Sequence, residues 1–362
     1  FVGTYSGYNI TGEKNIVLGS YDKNSDDVTG VTNIDVDNNI FIGNDAGIES
    51  SGNSNICVGS GAGIKDEGSY NLNIGNFTSS NDSYDSVEVP TETGSNINIG
   101  HMAGRKSYNN SRSINIGVAS GENSNVNNNI NIGYKTGRIN DGSNNTLIGN
   151  ETGTNLIGTN NVVLGNDSLV GEEGMTSITG NVMVGEKAGK NIKSNRNVII
   201  GTEAGELTSD KKISDDNILI GYQAGNSMGI DKTSEDDGPI GNIFLGKLSG
   251  TNSQGSSNIF VGTNSGTQNV SGTSNVFIGN NSGSSMTTGG DGVLIENAHA
   301  DYNNPYTWHY MLDGTGYQDN YDPQIEMGYG AGNAMNEGVR ATLRFTGRNY
   351  SGQTDLNQVP PH

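Results

Sequence analysis

Cysteine and tryptophan occur once each in this chain of 362 residues, proline six times, and lysine plus arginine only 19 times against 39 acidic residues. Each scarcity excludes something. With Cys57 alone, no intrachain disulfide can form. No apolar run approaches the roughly 18 residues of a membrane-spanning helix, so membrane insertion is not expected. A formal net charge of −20 argues against nucleic acid and anionic membrane surfaces as partners. Only 31% of residues are hydrophobic and 56 are glycine, a composition that by itself suggests disorder.

Periodicity overrules composition. The phrase Asn-[Ile/Val]-x-[Ile/Val]-Gly-x-x-[Ala/Ser]-Gly recurs along the chain, as in Asn39-Ile-Phe-Ile-Gly-Asn-Asp-Ala-Gly47 and Asn197-Val-Ile-Ile-Gly-Thr-Glu-Ala-Gly205. Its first glycine falls at 3, 19, 43, 59, 75, 100, 117, 133, 149, 165, 185, 201, 221, 246, 262 and 279. The base spacing is 16, and a fixed short period marks a solenoid, whose turns each need a neighbour to bury their apolar face. The reading is all-β: a parallel β-roll or β-solenoid of about sixteen 16-residue turns over residues 1–285. Each turn is expected to hold two short strands and two tight turns. The chain opens on the back half of a repeat, which predicts further turns upstream.

Side chains alternate between faces along a strand. The second and fourth positions of the phrase, such as Ile40 and Ile42, are read as the inner face. The third position then points outward, yet it is apolar at Phe41, Met183, Ile199, Leu219, Phe244, Phe260 and Phe277. Such a continuous stripe exceeds the few hundred Å² that soluble monomers tolerate. It is therefore assigned to the shared core of a homotrimer. Four turns place asparagine there instead: Asn73, Asn98, Asn115 and Asn131. These read as an axial polar ladder, either bonding across chains or holding waters or an ion. The leading asparagines, such as Asn39 and Asn55, are expected to tolerate a turn and cap backbone groups.

Longer spacings place inserts at one corner, and several inserts are acidic, with Asp22, Asp26 and Asp27, then Asp82, Asp85, Glu88 and Glu92, then Asp231, Glu235, Asp236 and Asp237. Calcium favours several carboxylates and carbonyls, so calcium is a candidate ligand there, although no EF-hand spacing occurs and acidic loops are usually solvated. No other cofactor is indicated. Residues 286–362 carry no repeat and are rich in aromatics, which predicts a β-rich C-terminal cap or tip. Within it Tyr306, Trp308, His309, Tyr310, Tyr317 and Tyr321 are candidate receptor or glycan contacts, since aromatic rings stack on sugar faces. No catalytic residues are expected. Gly225-Asn-Ser-Met-Gly229 matches a nucleophile-elbow pattern only by composition, without the strand-to-helix context.

The Asn-x-Val-x-Ile-Gly element resembles the head repeats of YadA-type trimeric autotransporter adhesins. With its trailing Ala-Gly, the phrase is also similar to repeats of bacteriophage and large-virus tail fibres. That resemblance implies a trimeric parallel β-roll acting as a structural and attachment protein on a virion surface or outside the cell. It implies two partners, the chain itself and a host cell-surface glycan or protein receptor. The 16-residue period is longer than the YadA-type spacing, and neither heptad stalk nor membrane anchor is seen, which favours a tail-fibre-like protein. An autotransporter head, a purely structural filament and a glycan-depolymerising spike stand as alternatives.

Overall fold

The computed structural model describes residues 1–4, 6, 12–20, 35–80, 94–107, 110–124, 126–170, 178–207, 215–228, 238–284, 287 and 293–295. Among them the chain winds as an all-β parallel solenoid with no helix. Sixteen three-residue strands, from β1 (Ile16–Leu18) to β16 (Val293–Ile295), pair in chain order into one sheet. Every pair is parallel and unshifted, so third-position residues stack turn on turn: Val17 on Phe41, Met183 on Ile199, Phe260 on Phe277. Twelve of the fifteen strand-to-strand intervals run 16 to 20 residues, and those from 16 to 40, 72 to 97 and 218 to 243 run 24 or 25. The regular solenoid thus has about 12 turns, fewer than the sixteen expected.

The strands form because β-branched residues flank a variable centre and fit a pleated surface. Glycine follows each strand except the last, Val293–Ile295. At Gly201 φ is +138°, and a Cβ there would lie 2.3 Å from the carbonyl oxygen of Gly221 in the next turn. Beyond that glycine the expected second strand is not formed among the described residues. Alternate residues instead take positive φ, as at Asp45 (56°), Gly47 (72°) and Glu49 (54°), whereas strand geometry needs negative φ throughout. This wall is a stack of tight turns. It is still hydrogen-bonded between turns, for example Gly47 N–H to Ala62 O and Gly63 N–H to Thr78 O, each at 2.8 Å.

The strand faces are the reverse of the expected ones. In every strand whose side chains are described, the third-position residue is buried within its own coil and its two neighbours are exposed or half-exposed. Phe41, Met183, Ile199, Leu219, Phe244, Phe260 and Phe277 therefore fill the interior of a single chain and are not an outward stripe. Asn73, Asn98, Asn115 and Asn131 are likewise inside the coil, not on an outer axial face. The physical reason is parity: when all three strand residues are apolar, alternation alone does not say which set faces in.

Glycine and volume matching explain how a thin coil accepts these side chains. Phe244, Phe260 and Phe277 stack with centroids 4.7 Å apart and ring planes within 3°. Opposite them lie Gly250, Gly266 and Gly283, where a Cβ would come within 2.1 to 2.5 Å of the ring. The residue nine positions after the strand centre also lines the interior, since a Cβ on Gly225 would meet both Leu219 and Met228. Large centres pair with small partners (Phe41 with Ser50, Phe244 with Ser253), and medium centres with medium ones (Leu147 with Leu156, Met183 with Ile192). Interiors pack to near-crystalline density, so such compensation is expected of side chains sharing one closed space.

Candidate functional site

Because the third position faces in, the outer face of the sheet carries the second and fourth positions, almost all Ile, Val or Leu. Ile16, Leu18, Ile42, Ile56, Ile74, Val162, Val182, Ile220, Ile259 and Ile278 each expose more than a third of their area. The unshifted register lines them up as two parallel ladders. At about 4.8 Å per strand the strip is roughly 75 Å long. Two half-exposed aliphatic residues per strand give an area on the order of 1,500 Å², against the few hundred Å² usual for the largest apolar patch of a monomer. This face, not the third-position stripe, is the candidate self-association surface.

The corner next to the sheet adds a smaller apolar patch over successive turns. Phe77, Val118 and Tyr134 are exposed, and the Phe77 ring meets His101 edge-on with centroids 6.4 Å apart. Lys135 sits 4.8 Å over the Tyr134 ring, and Lys247 lies 5.9 Å from that of Tyr222. None of these was singled out from sequence, because the residues just after the glycine vary freely between repeats.

The coil interior changes character beneath that patch. Asn98 Nδ2 donates to Asn73 Oδ1, Asn115 Nδ2 to Asn98 Oδ1 and Asn131 Nδ2 to Asn115 Oδ1, each at 2.8 Å. At the N-terminal end Asn73 Nδ2 donates to Asp66 Oδ2 at 3.0 Å. Asp66 also accepts from Gly68 N–H, Asn71 Nδ2 and Ser79 Oγ, so several donors converge on one carboxyl group. Burial pushes its pKa up to about 6, and these hydrogen bonds hold it from rising further. The neighbouring Cys57 thiol is raised to about 12, first by burial and then by the Asp66 charge, so it is unreactive. With its oxygens occupied by donors, Asp66 is a poor cation ligand.

The leading asparagines form a second buried column. Asn55 N–H donates to Asn39 Oδ1 (2.7 Å) and Asn71 N–H to Asn55 Oδ1 (2.8 Å), while Asn55 Nδ2 donates to Gly68 O (2.9 Å). The same pattern runs through Asn197, Asn217, Asn242 and Asn258. These side chains cap backbone groups, as expected. The positive φ belongs to the residue before each, such as Asn38, Ser54 and Arg196.

Among the described residues no group of three or more His, Cys, Asp or Glu is arranged to hold a metal, and no helix is long and apolar enough to cross a membrane. The acidic insert residues named as calcium candidates lie outside the described residues. So do Tyr306, Trp308, His309, Tyr310, Tyr317 and Tyr321, with most of the region 286–362. No family model, curated protein or solved structure matches this chain.

Proposed function

We propose that the protein is a fibre of tail-fibre type: a stiff rod of three associated chains that displays receptor or glycan contacts outside the cell or on a virion. The continuous Ile/Val/Leu strip on the outer face of the sheet supports the self-association. A stable interface needs roughly 800 Å² from each partner, and the strip offers more than that. Burying it between three copies places the sheets around a common axis and leaves corners, inserts and chain ends for contact. The aromatic run at Tyr306, Trp308 and Tyr310 supports a tip that stacks on sugars. Three weak sites on one rigid rod raise avidity through effective concentration alone.

The test uses fluorescently labelled full chain on host-type cells and on a glycan array, with reducing-sugar release followed in parallel. Saturable binding without sugar release supports the reading. Absence of binding leaves a structural filament, and sugar release makes it a depolymerising spike.

A further inference from the structure

Among the described residues six buried side-chain polar atoms have no protein partner, and five of them lie between residues 80 and 140: Ser80 Oγ, Asn110 Oδ1, Ser124 Oγ, Asn131 Oδ1 and Asn140 Nδ2. The last three occupy adjoining turns. Ser124 and Asn140 are one 16-residue period apart in the same interior column. Asn131 stands in the turn of Asn140 across the coil, its Oδ1 resting over Gly137, where a Cβ would lie 2.2 Å away. The orientation of both amides is fixed by other bonds. Asn131 Nδ2 donates to Asn115 Oδ1, and Asn140 Oδ1 accepts from Gly142 N–H at 2.8 Å. The open groups are thus one acceptor, one donor and one hydroxyl.

We propose that a single ordered water is bound inside the coil by Ser124, Asn131 and Asn140, closing the C-terminal end of the asparagine ladder. A buried water typically makes about three hydrogen bonds to otherwise unsatisfied groups. Here it donates to Asn131 Oδ1, accepts from Asn140 Nδ2 and shares a proton with Ser124 Oγ. The ligand is water and not a cation, because the site presents an amide N–H₂ and no carboxylate. On the Ser124 side of the site the Asn115–Ser124 pair has two side-chain heavy atoms fewer than the Leu147–Leu156 pair in the same coil, a difference on the scale of one water. The amide dipoles of the ladder all point their oxygens toward this end, so Asn131 Oδ1 is the acceptor most in need of a donor.

An experimental structure of the full chain at a resolution that shows waters is the direct test, solved from crystals grown in sodium and again in rubidium salts. The proposal predicts a density peak within hydrogen-bond distance of all three groups, with no anomalous signal in rubidium. A direct Asn140 Nδ2 to Asn131 Oδ1 bond with nothing between, or a rubidium peak, overturns it. The double variant Asn131→Leu/Asn140→Leu copies the Leu147–Leu156 turn. It is expected to lose the peak and, because Asn115 Oδ1 and the Gly142 N–H lose their partners, to lower the urea midpoint. Should that variant fail to fold, side-chain amide NMR of the wild-type chain decides. A long-lived water cross-peak to Asn140 Nδ2 supports the site, and its absence in a folded sample overturns it.

Discussion

Two stretches of the same coil solve the same packing problem with opposite chemistry. From Leu147 to Phe277 the interior is a continuous dry cluster in which Leu, Val, Met, Ile and Phe stack turn on turn. From Asn73 to Asn131 the corresponding column is a chain of amides, closed by the Asp66 carboxyl at one end. Backbone and register are the same in both, as Gly121 and Gly153 illustrate with φ of 64° and 63°, and where the glycine is replaced, at Ser79 and Leu169, φ stays positive. The scaffold is therefore set by backbone geometry at the corners, and the interior column is free to vary provided that its volume and hydrogen bonds close. The dry stretch draws its stability from burial. The polar stretch draws on mutual satisfaction of groups that would be costly to leave unpaired.

The largest difference should appear on truncating the strand centre. Phe260→Ala removes a ring stacked on both sides, and is expected to cost about 3–5 kcal/mol in a urea melt. The polar stretch is distinguished next by its pH response. Because the Asp66 pKa in the folded coil lies near 6, above the ordinary aspartate value of 3.8, folding takes up a proton between those values. The Asp66 contribution to stability is then fully present below about pH 4, falls away by up to about 3 kcal/mol as pH rises to about 6, and is flat above. Subtracting the profile of Asp66→Asn from that of the wild type isolates this term, and an identical slope in both would refute it.

Asn115→Ala breaks the amide chain at its middle and strands Asn98 Oδ1 and the Asn131 amide, for an expected loss of about 1–3 kcal/mol. A hydrophobic change of the same size there, Asn115→Leu, should be milder if the ladder serves packing alone. The smallest effect is expected on the surface. Arg138→Ala removes one of two arginines flanking Glu122, while Arg105 still holds that carboxylate, so the loss should stay below about 1 kcal/mol and shrink further in salt.

Much of this was legible in the sequence, and the part that was not has a physical cause. The 16-residue spacing and the Ile-x-Ile-Gly pattern specify a parallel solenoid and the strands from Ile16–Leu18 to Val276–Ile278, whereas the last strand, Val293–Ile295, falls in the region 286–362 read as free of the repeat and extends the same sheet. Strand polarity is not legible there because Ile40, Phe41 and Ile42 are all apolar, and a period of two cannot say which set faces inward. The deciding signal is size compensation nine residues apart: Phe41 with Ser50, Phe244 with Ser253, Leu147 with Leu156. Residues that vary together in volume share a cavity, whereas the uniform Ile and Val beside them form a repeated outer surface. The second strand per turn failed because non-glycine residues such as Asp45, Lys65 and Lys187 hold positive φ, which their identity does not announce. Asp66 was hidden among many acidic residues, and only its place one turn below Asn73 distinguishes it.

The central claim is that the outer ladder of Ile, Val and Leu joins copies of the chain. Light scattering on the size-exclusion peak of the full chain tests it most directly, since the chain mass is 37.9 kDa. A mass of about 114 kDa, three times the chain, that falls when Ile220→Lys and Ile259→Lys are combined is the predicted result. A stable species of about 38 kDa with those ladders still exposed would contradict it.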